Sequence, residues 1–71
     1  MINIWEYKIG DMIKIIDMDN TSYVGTVFCL EDKDEFEEES DYIDVKINGQ
    51  IVGFKPDEIL SIEKIEDKNV K

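Results

Sequence analysis

The segment from Tyr42 to Lys55 constrains this chain more than any other. Tyr42, Asp44 and Lys46 alternate with Ile43, Val45 and Ile47, a period of two that sends the two sets of side chains to opposite faces of a strand. Asn48-Gly49 follows. A two-residue type I′ turn needs positive φ at both central positions, which Asn and Gly tolerate. Gln50 to Lys55 then reads as the returning strand, with Gly53 as a candidate bend, and Pro56 stops it because proline has no N–H to donate.

Composition extends this hairpin to the whole chain. There are 12 Ile and 5 Val against 2 Leu and no Ala in 71 residues. β-branched side chains favour pleated, half-buried surfaces, and the best helix formers are nearly missing. A single mostly-β domain over 1–71 is the expectation, at the small end of what folds unaided.

The remaining elements follow from local pattern. Asn3-Ile4-Trp5-Glu6 has capping-box spacing, which fits a short helical turn over residues 3–8, ending before Gly10, with Trp5 and Ile9 packing onto the sheet; an extended arm is the competing reading. Met12 to Met18 reads as a strand with Ile13 and Ile15 on one face; Ile16 and Met18 fall on the opposite phase, which predicts either two covered faces or a bulge. Asp19-Asn20-Thr21-Ser22 is a turn cluster. Tyr23 to Leu30 reads as a second strand, apolar on both phases and broken by Gly25, where a bend or a close backbone approach is expected. Pro56-Asp57-Glu58-Ile59 predicts one 3₁₀ turn with Asp57 as its cap. Leu60 to Ile65 predicts a last strand with Leu60 and Ile62 alternating, and the tail 66–71 is expected to fray. The layout is a five-stranded antiparallel barrel of the SH3 or Sm type.

Charge is lopsided. The chain carries 18 Asp and Glu against 8 Lys, a net of −10, with no Arg and no His. Residues 31–41 read EDKDEFEEESD: eight acids (Glu31, Asp32, Asp34, Glu35, Glu37, Glu38, Glu39, Asp41) and one Lys give −7, and all other residues together carry −3. Repulsion among these acids predicts a solvated, flexible loop with Phe36 exposed. Asp17-Met18-Asp19-Asn20 and Asp32-Lys33-Asp34 offer oxygen ligands, but neither continues as a calcium loop: the glycine at loop position six and the glutamate at position twelve are missing. No metal site and no cofactor are expected.

The absences exclude chemistry. Without His there is no His-activated Ser or Cys nucleophile and no Cys/His zinc site. Cys29 has no partner for an internal disulfide and is expected to be a buried small hydrophobe, which suits a reducing cytoplasm. No basic stretch leads into an apolar run, and no apolar run approaches the length of a membrane span. A small barrel filled by its own side chains leaves no cleft for paired carboxylates, so an enzyme is not expected.

Lys8 to Val27 resembles the first motif of Sm-like (LSM) proteins through Gly10, Ile13, Ile15, Asp19, Tyr23, Gly25 and Val27. Asn48-Gly49-Gln50-Ile51-Val52-Gly53-Phe54 with Glu58-Ile59-Leu60-Ser61-Ile62-Glu63 is similar to the second motif and its closing strand, in the manner of short bacterial and phage members. The likeness spans about residues 8–65, and other SH3-like barrels share much of it. It implies a barrel whose fourth and fifth strands pair with those of neighbours. Here Gln50–Lys55 and Leu60–Ile65 would do so, with Ile51, Phe54, Ile62 and Ile65 as edge-strand residues. RNA-binding members carry an Asn-bearing polar loop and an Arg-Gly or Lys-Gly pair. This chain has the acidic loop and Asn48-Gly49 instead, so no RNA-binding residue is carried across.

Three functions are weighed. The first is a non-catalytic module that self-associates as a homo-oligomer or docks a basic protein surface through strand edges and the acidic loop. The second is an acidic mimic of nucleic acid that blocks a nucleic-acid-binding protein. The third is RNA binding by stacking on Tyr23, Tyr42 or Phe54, which a −10 chain disfavours because phosphate repels it.

Overall fold

The computed structural model describes residues 2–65. Asn48 at φ 52° and Gly49 at φ 81° form the expected turn. They join β3 (Tyr42–Ile47) to β4 (Gln50–Phe54), with Ile47 opposite Gln50 and the register unbroken to Ile43 opposite Phe54. Three further strands complete one antiparallel sheet: β1 (Met12–Asp17), β2 (Ser22–Glu31) and β5 (Ile59–Lys64), in the order β4-β3-β2-β1-β5. The chain is mostly β, with 3₁₀ turns at Ile4–Glu6 and Pro56–Glu58. The sheet is not closed by pairing: β4 and β5 are its two edges.

Alternation builds the core. Ile13 and Ile15 of β1, Val27 of β2, Ile43 and Val45 of β3, Phe54 of β4 and Ile59 of β5 face one another, and Ile4 closes one end. Truncating any of the buried isoleucines to Ala removes packed methyl groups and leaves a cavity, at a cost of about 2–5 kcal/mol. Gly25 sits where β2 presses against β3. A Cβ there would collide with the Lys46 carbonyl and stand 2.7 Å from Val45 Cγ1, so the glycine serves close approach.

Two irregularities shift phases that the sequence pattern alone misplaces. Val27 opposes Val45 but Cys29 opposes Asp44, so Phe28 is an extra residue on β2. The shift sets Cys29 level with the outward-facing Asp44, and the thiol is half-buried rather than fully buried. On the other side of the sheet, Ile16 opposes Ser61 and Asp17 opposes Ile59. Leu60 is therefore the extra residue; it is 53 % exposed while Ile59 is 2 % exposed. The inward alternation expected from Leu60 starts at Ile59 instead, and the strand runs Ile59–Lys64. β1 itself alternates without a break: Ile13 and Ile15 are buried, Ile16 is half-buried on the other face, and Met18 is exposed beyond the strand.

The N-terminal turn forms and is capped by Asn3, whose Oδ1 accepts the Trp5 N–H at 3.1 Å. Its anchor is not the one expected. Ile4 is 1 % exposed, whereas Trp5 and Ile9 are 47 % and 69 % exposed. A single 3₁₀ turn directs one side chain at the sheet, and Ile4 takes that place. Ile9 is turned out by the reversal at Lys8–Asp11, where Gly10 adopts φ 99°, Asp11 N–H donates to the Lys8 carbonyl, and Lys8 N–H donates to Asp11 Oδ2. The turn at Pro56–Glu58 is capped by Glu58, whose Oε1 accepts the Lys55 N–H at 2.9 Å. Asp57 is exposed and does not serve as the cap. The tail 66–71 lies outside the described residues.

Candidate functional site

The 31–41 connection is built from the acids themselves. Asp32 Oδ1 accepts the N–H of Asp34 at 2.8 Å and of Glu35 at 3.3 Å, and the Asp32 carbonyl accepts from Phe36. This is the short-range capping that Asp offers a turn. Glu38 N–H donates to the Lys33 carbonyl, with Glu37 at φ 57° between them. Asp41 Oδ1 accepts the Lys33 N–H at 2.9 Å and ties the end of the loop to its start. Asp32 and Asp41 are thus half-buried and engaged, while Asp34, Glu35, Glu37, Glu38 and Glu39 are exposed, as is Phe36.

Glu31 ends β2 and is half-buried. A proton shared with the Asp44 carboxyl of β3 raises its pKa, and the Glu31 carboxyl in turn raises that of Glu38. Each carboxyl is more easily protonated because the proton forms a hydrogen bond to its neighbour and removes a like-charge contact. The sequence reading missed Asp44 as a member of this group. The signal was its outward phase on the strand that returns beside Glu31.

The four edge-strand residues part company. Ile51 is on β4 and 47 % exposed. Phe54 ends β4 but points into the core, 6 % exposed, with its ring edge-on to Tyr23 at 5.1 Å between centroids. Ile62 is half-buried on β5, opposite Ile15, and its carbonyl accepts the Tyr7 hydroxyl at 3.3 Å. Ile65 lies just beyond β5 and donates its N–H to the Met12 carbonyl at 2.8 Å. Tyr7 is a second residue the sequence did not single out; its contact with Ile62 spans nearly the whole chain.

At the end of β1, Asp17 gathers donors. Its Oδ1 accepts the N–H of Thr21 and of Asp19, each at 2.9 Å, and its Oδ2 accepts the Tyr23 hydroxyl at 3.0 Å. The Thr21 N–H, followed by the Tyr23 hydroxyl and the Asp19 N–H, holds its pKa below the ordinary carboxylate value. An open cleft of about 300 Å³ lies here, lined by Asp17, Met18, Asp19, Gly53, Phe54 and Glu58. Among the described residues no group of three or more His, Cys, Asp or Glu side chains is placed to hold a metal ion. Nor is any helix of those residues long and apolar enough to cross a membrane.

Comparison with known proteins finds no matching family model, no matching curated protein and no matching solved structure.

Proposed function

We propose that this chain is a non-catalytic interaction module, an SH3/Sm-like barrel in topology, that binds by strand addition at its sheet edges and presents the 31–41 loop to basic surfaces. The observation that carries the reading is the open sheet: β4 and β5 are both edges, and unpaired edge N–H and C=O groups are templates for another strand. The order β4-β3-β2-β1-β5 suits a small curled barrel, with the 3₁₀ turn Pro56–Glu58 leading from one edge to the other. The partner is a second copy of the chain or a basic protein surface, acting in the cytoplasm. Light scattering on the full chain, combined with titration of a lysine-rich peptide, tests both parts. Self-association is expected, as is peptide binding that weakens with salt and is lost when Asp34, Glu35, Glu37, Glu38 and Glu39 become amides. A strict monomer with no peptide binding overturns the reading.

One observation favours a second reading, nucleic-acid mimicry. The Asp32 and Asp41 bonds give the loop defined turns, so its exposed carboxylates can stand at set spacings as phosphates do. In that case the chain displaces DNA from a basic DNA-binding protein, and the amide variant does not. Direct RNA binding has the least support: Phe54 is in the core and packs edge-on against the Tyr23 ring, so two of the three stacking candidates are engaged with each other.

A further inference from the structure

We propose that two copies of this chain join through their β4 edges, antiparallel about a two-fold axis at Val52. The proposal rests on the strand-edge reading above and specifies its partner and register.

The β4 strand itself is uncharged in a chain that is 37 % charged: Gln50-Ile51-Val52-Gly53-Phe54 contains no Asp, Glu or Lys, and the acids nearest it, Asp17, Asp19 and Glu58, line the cleft at its Gly53–Phe54 end. Edge strands are normally protected by charge, proline or a bulge. β4 has none of these within it; its register with β3 is continuous and Ile51 is exposed. The turn decides which backbone groups are free. A two-residue hairpin makes its flanking pair, Ile47 and Gln50, mutually hydrogen-bonded, and bonding then alternates along the ladder. Gln50, Val52 and Phe54 therefore bond inward to β3. Ile51 and Gly53 direct their N–H and C=O away from the sheet.

Antiparallel pairing centred on Val52 sets Ile51 opposite Gly53 of the second copy, and Gly53 opposite its Ile51. Outward-directed backbone groups then meet on both sides of the axis. The side chains also complement. Ile51 is a large exposed residue and Gly53 has no side chain; the Asp44 carboxylate and the Tyr42 ring stand 2.9 and 3.4 Å from where its Cβ would be, so each isoleucine packs over the other copy's glycine against that Tyr42 ring. Behind them on β3, Lys46 stands beside Ile51 and Asp44 beside Gly53, so each row across the seam runs from a cation to an anion. A self-complementary patch of this kind closes as a dimer.

The other edge is guarded. Ile65 N–H bonds inward to Met12, so alternation turns Ile62 outward, and its carbonyl is taken by the Tyr7 hydroxyl. The bulge at Leu60 and the charges of Glu63 and Lys64 add to the protection. Charge points the same way. A cleft of about 250 Å³ is lined by Lys33, Glu39, Ser40, Asp41, Pro56 and Asp57, so the −7 loop stands beside the turn that follows β4. Two-fold pairing of β4 puts the two loops at opposite ends of the seam. A head-to-tail ring of β4 on β5 would set every loop on one rim, where they repel.

The test uses the full chain with Cys29→Ser and Val52→Cys. Val52 faces Val52 of the second copy as a non-hydrogen-bonded pair with Cα atoms about 4.5 Å apart, within disulfide reach. Mild oxidation is expected to give a covalent dimer, whereas Ile62→Cys in the same background stays monomeric on denaturing gels. By sedimentation, the exposed change Ile51→Lys is expected to weaken self-association at least tenfold with the circular dichroism spectrum retained. Crosslinking of a Val52→Cys and Ile62→Cys mixture as heterodimers, or an oligomer untouched by Ile51→Lys, overturns the two-fold arrangement while leaving strand-edge association standing. A monomer at every concentration overturns both.

Discussion

Two acidic connections of this protein behave in opposite ways. The β1–β2 turn is organised by Asp17, whose carboxylate accepts from Thr21, Asp19 and Tyr23. The β2–β3 loop begins at Glu31, whose carboxyl meets Asp44 and Glu38. Both are acids at the end of a strand, yet Asp17 titrates lower than an ordinary carboxylate and Glu31 and Glu38 titrate higher. A carboxylate facing N–H and O–H donors is held charged; one facing its own kind is pushed toward the neutral form. Charge counted along the sequence therefore says little about what a given acid contributes.

Within these two connections, Asp17→Ala is expected to show the largest effect. It strands the Thr21 and Asp19 amides and the Tyr23 hydroxyl at once, and the melting temperature should fall by about 4–8 °C, the shift that a lost capping-type contact gives a domain of this size. An unchanged melting temperature would mean that water replaces Asp17 without loss.

The pH dependence comes next, and its two arms have opposite sign. Asp17 has a lowered folded-state pKa, so its contribution is full above the unfolded value of about 3.9 and is lost as pH falls through the folded value. Glu31 and Glu38 have raised folded-state pKa values, so they oppose folding at neutral pH. That opposition is relieved as pH falls from the raised values toward about 4.3. Urea denaturation from pH 7 to pH 3 should show stability rising into mild acid and then dropping. Glu31→Gln should flatten the rise and keep the drop, and Asp17→Asn should reduce the drop.

Salt separates the two regions more gently. Screening at 0.1 M acts over about 10 Å, so added salt should raise the denaturation midpoint by relieving the loop, and converting Glu37, Glu38 and Glu39 to Gln should remove most of that gain. Phe36→Ser should have the smallest effect, within about 0.5 kcal/mol, because the ring is exposed. A larger loss would show that Phe36 closes the loop against the body of the protein.

Much of the fold is legible in local pattern. The Asn48-Gly49 turn, the β3 alternation, the Gly25 approach and the 3₁₀ turn after Pro56 each depend on a few adjacent residues, and all stand where those residues put them. What was not legible depends on partners distant in sequence. Nothing within Pro56–Ile65 distinguishes Ile59 from Leu60 as the inward residue; pairing with Asp17 and Ile16 makes the choice. Nothing within Asn3–Ile9 selects Ile4 over Trp5, because the sheet it packs on comes later in the chain. Asp44 and Tyr7 entered the candidate surface only through neighbours on other strands.

The amino-acid sequence by itself therefore determined which segments are strands and where the Asn48-Gly49 and Pro56 turns fall, that one connection holds most of the net charge, and that no His or Arg is present for chemistry that requires them. These follow from backbone propensity, side-chain period and composition, which act over a few residues. Only the tertiary structure decided which residues the bulges bury, which edge Tyr7 covers, and which acids meet donors rather than one another. Those are set by register between strands far apart in the chain, and a shift of one residue there exchanges the inside of the protein for its outside.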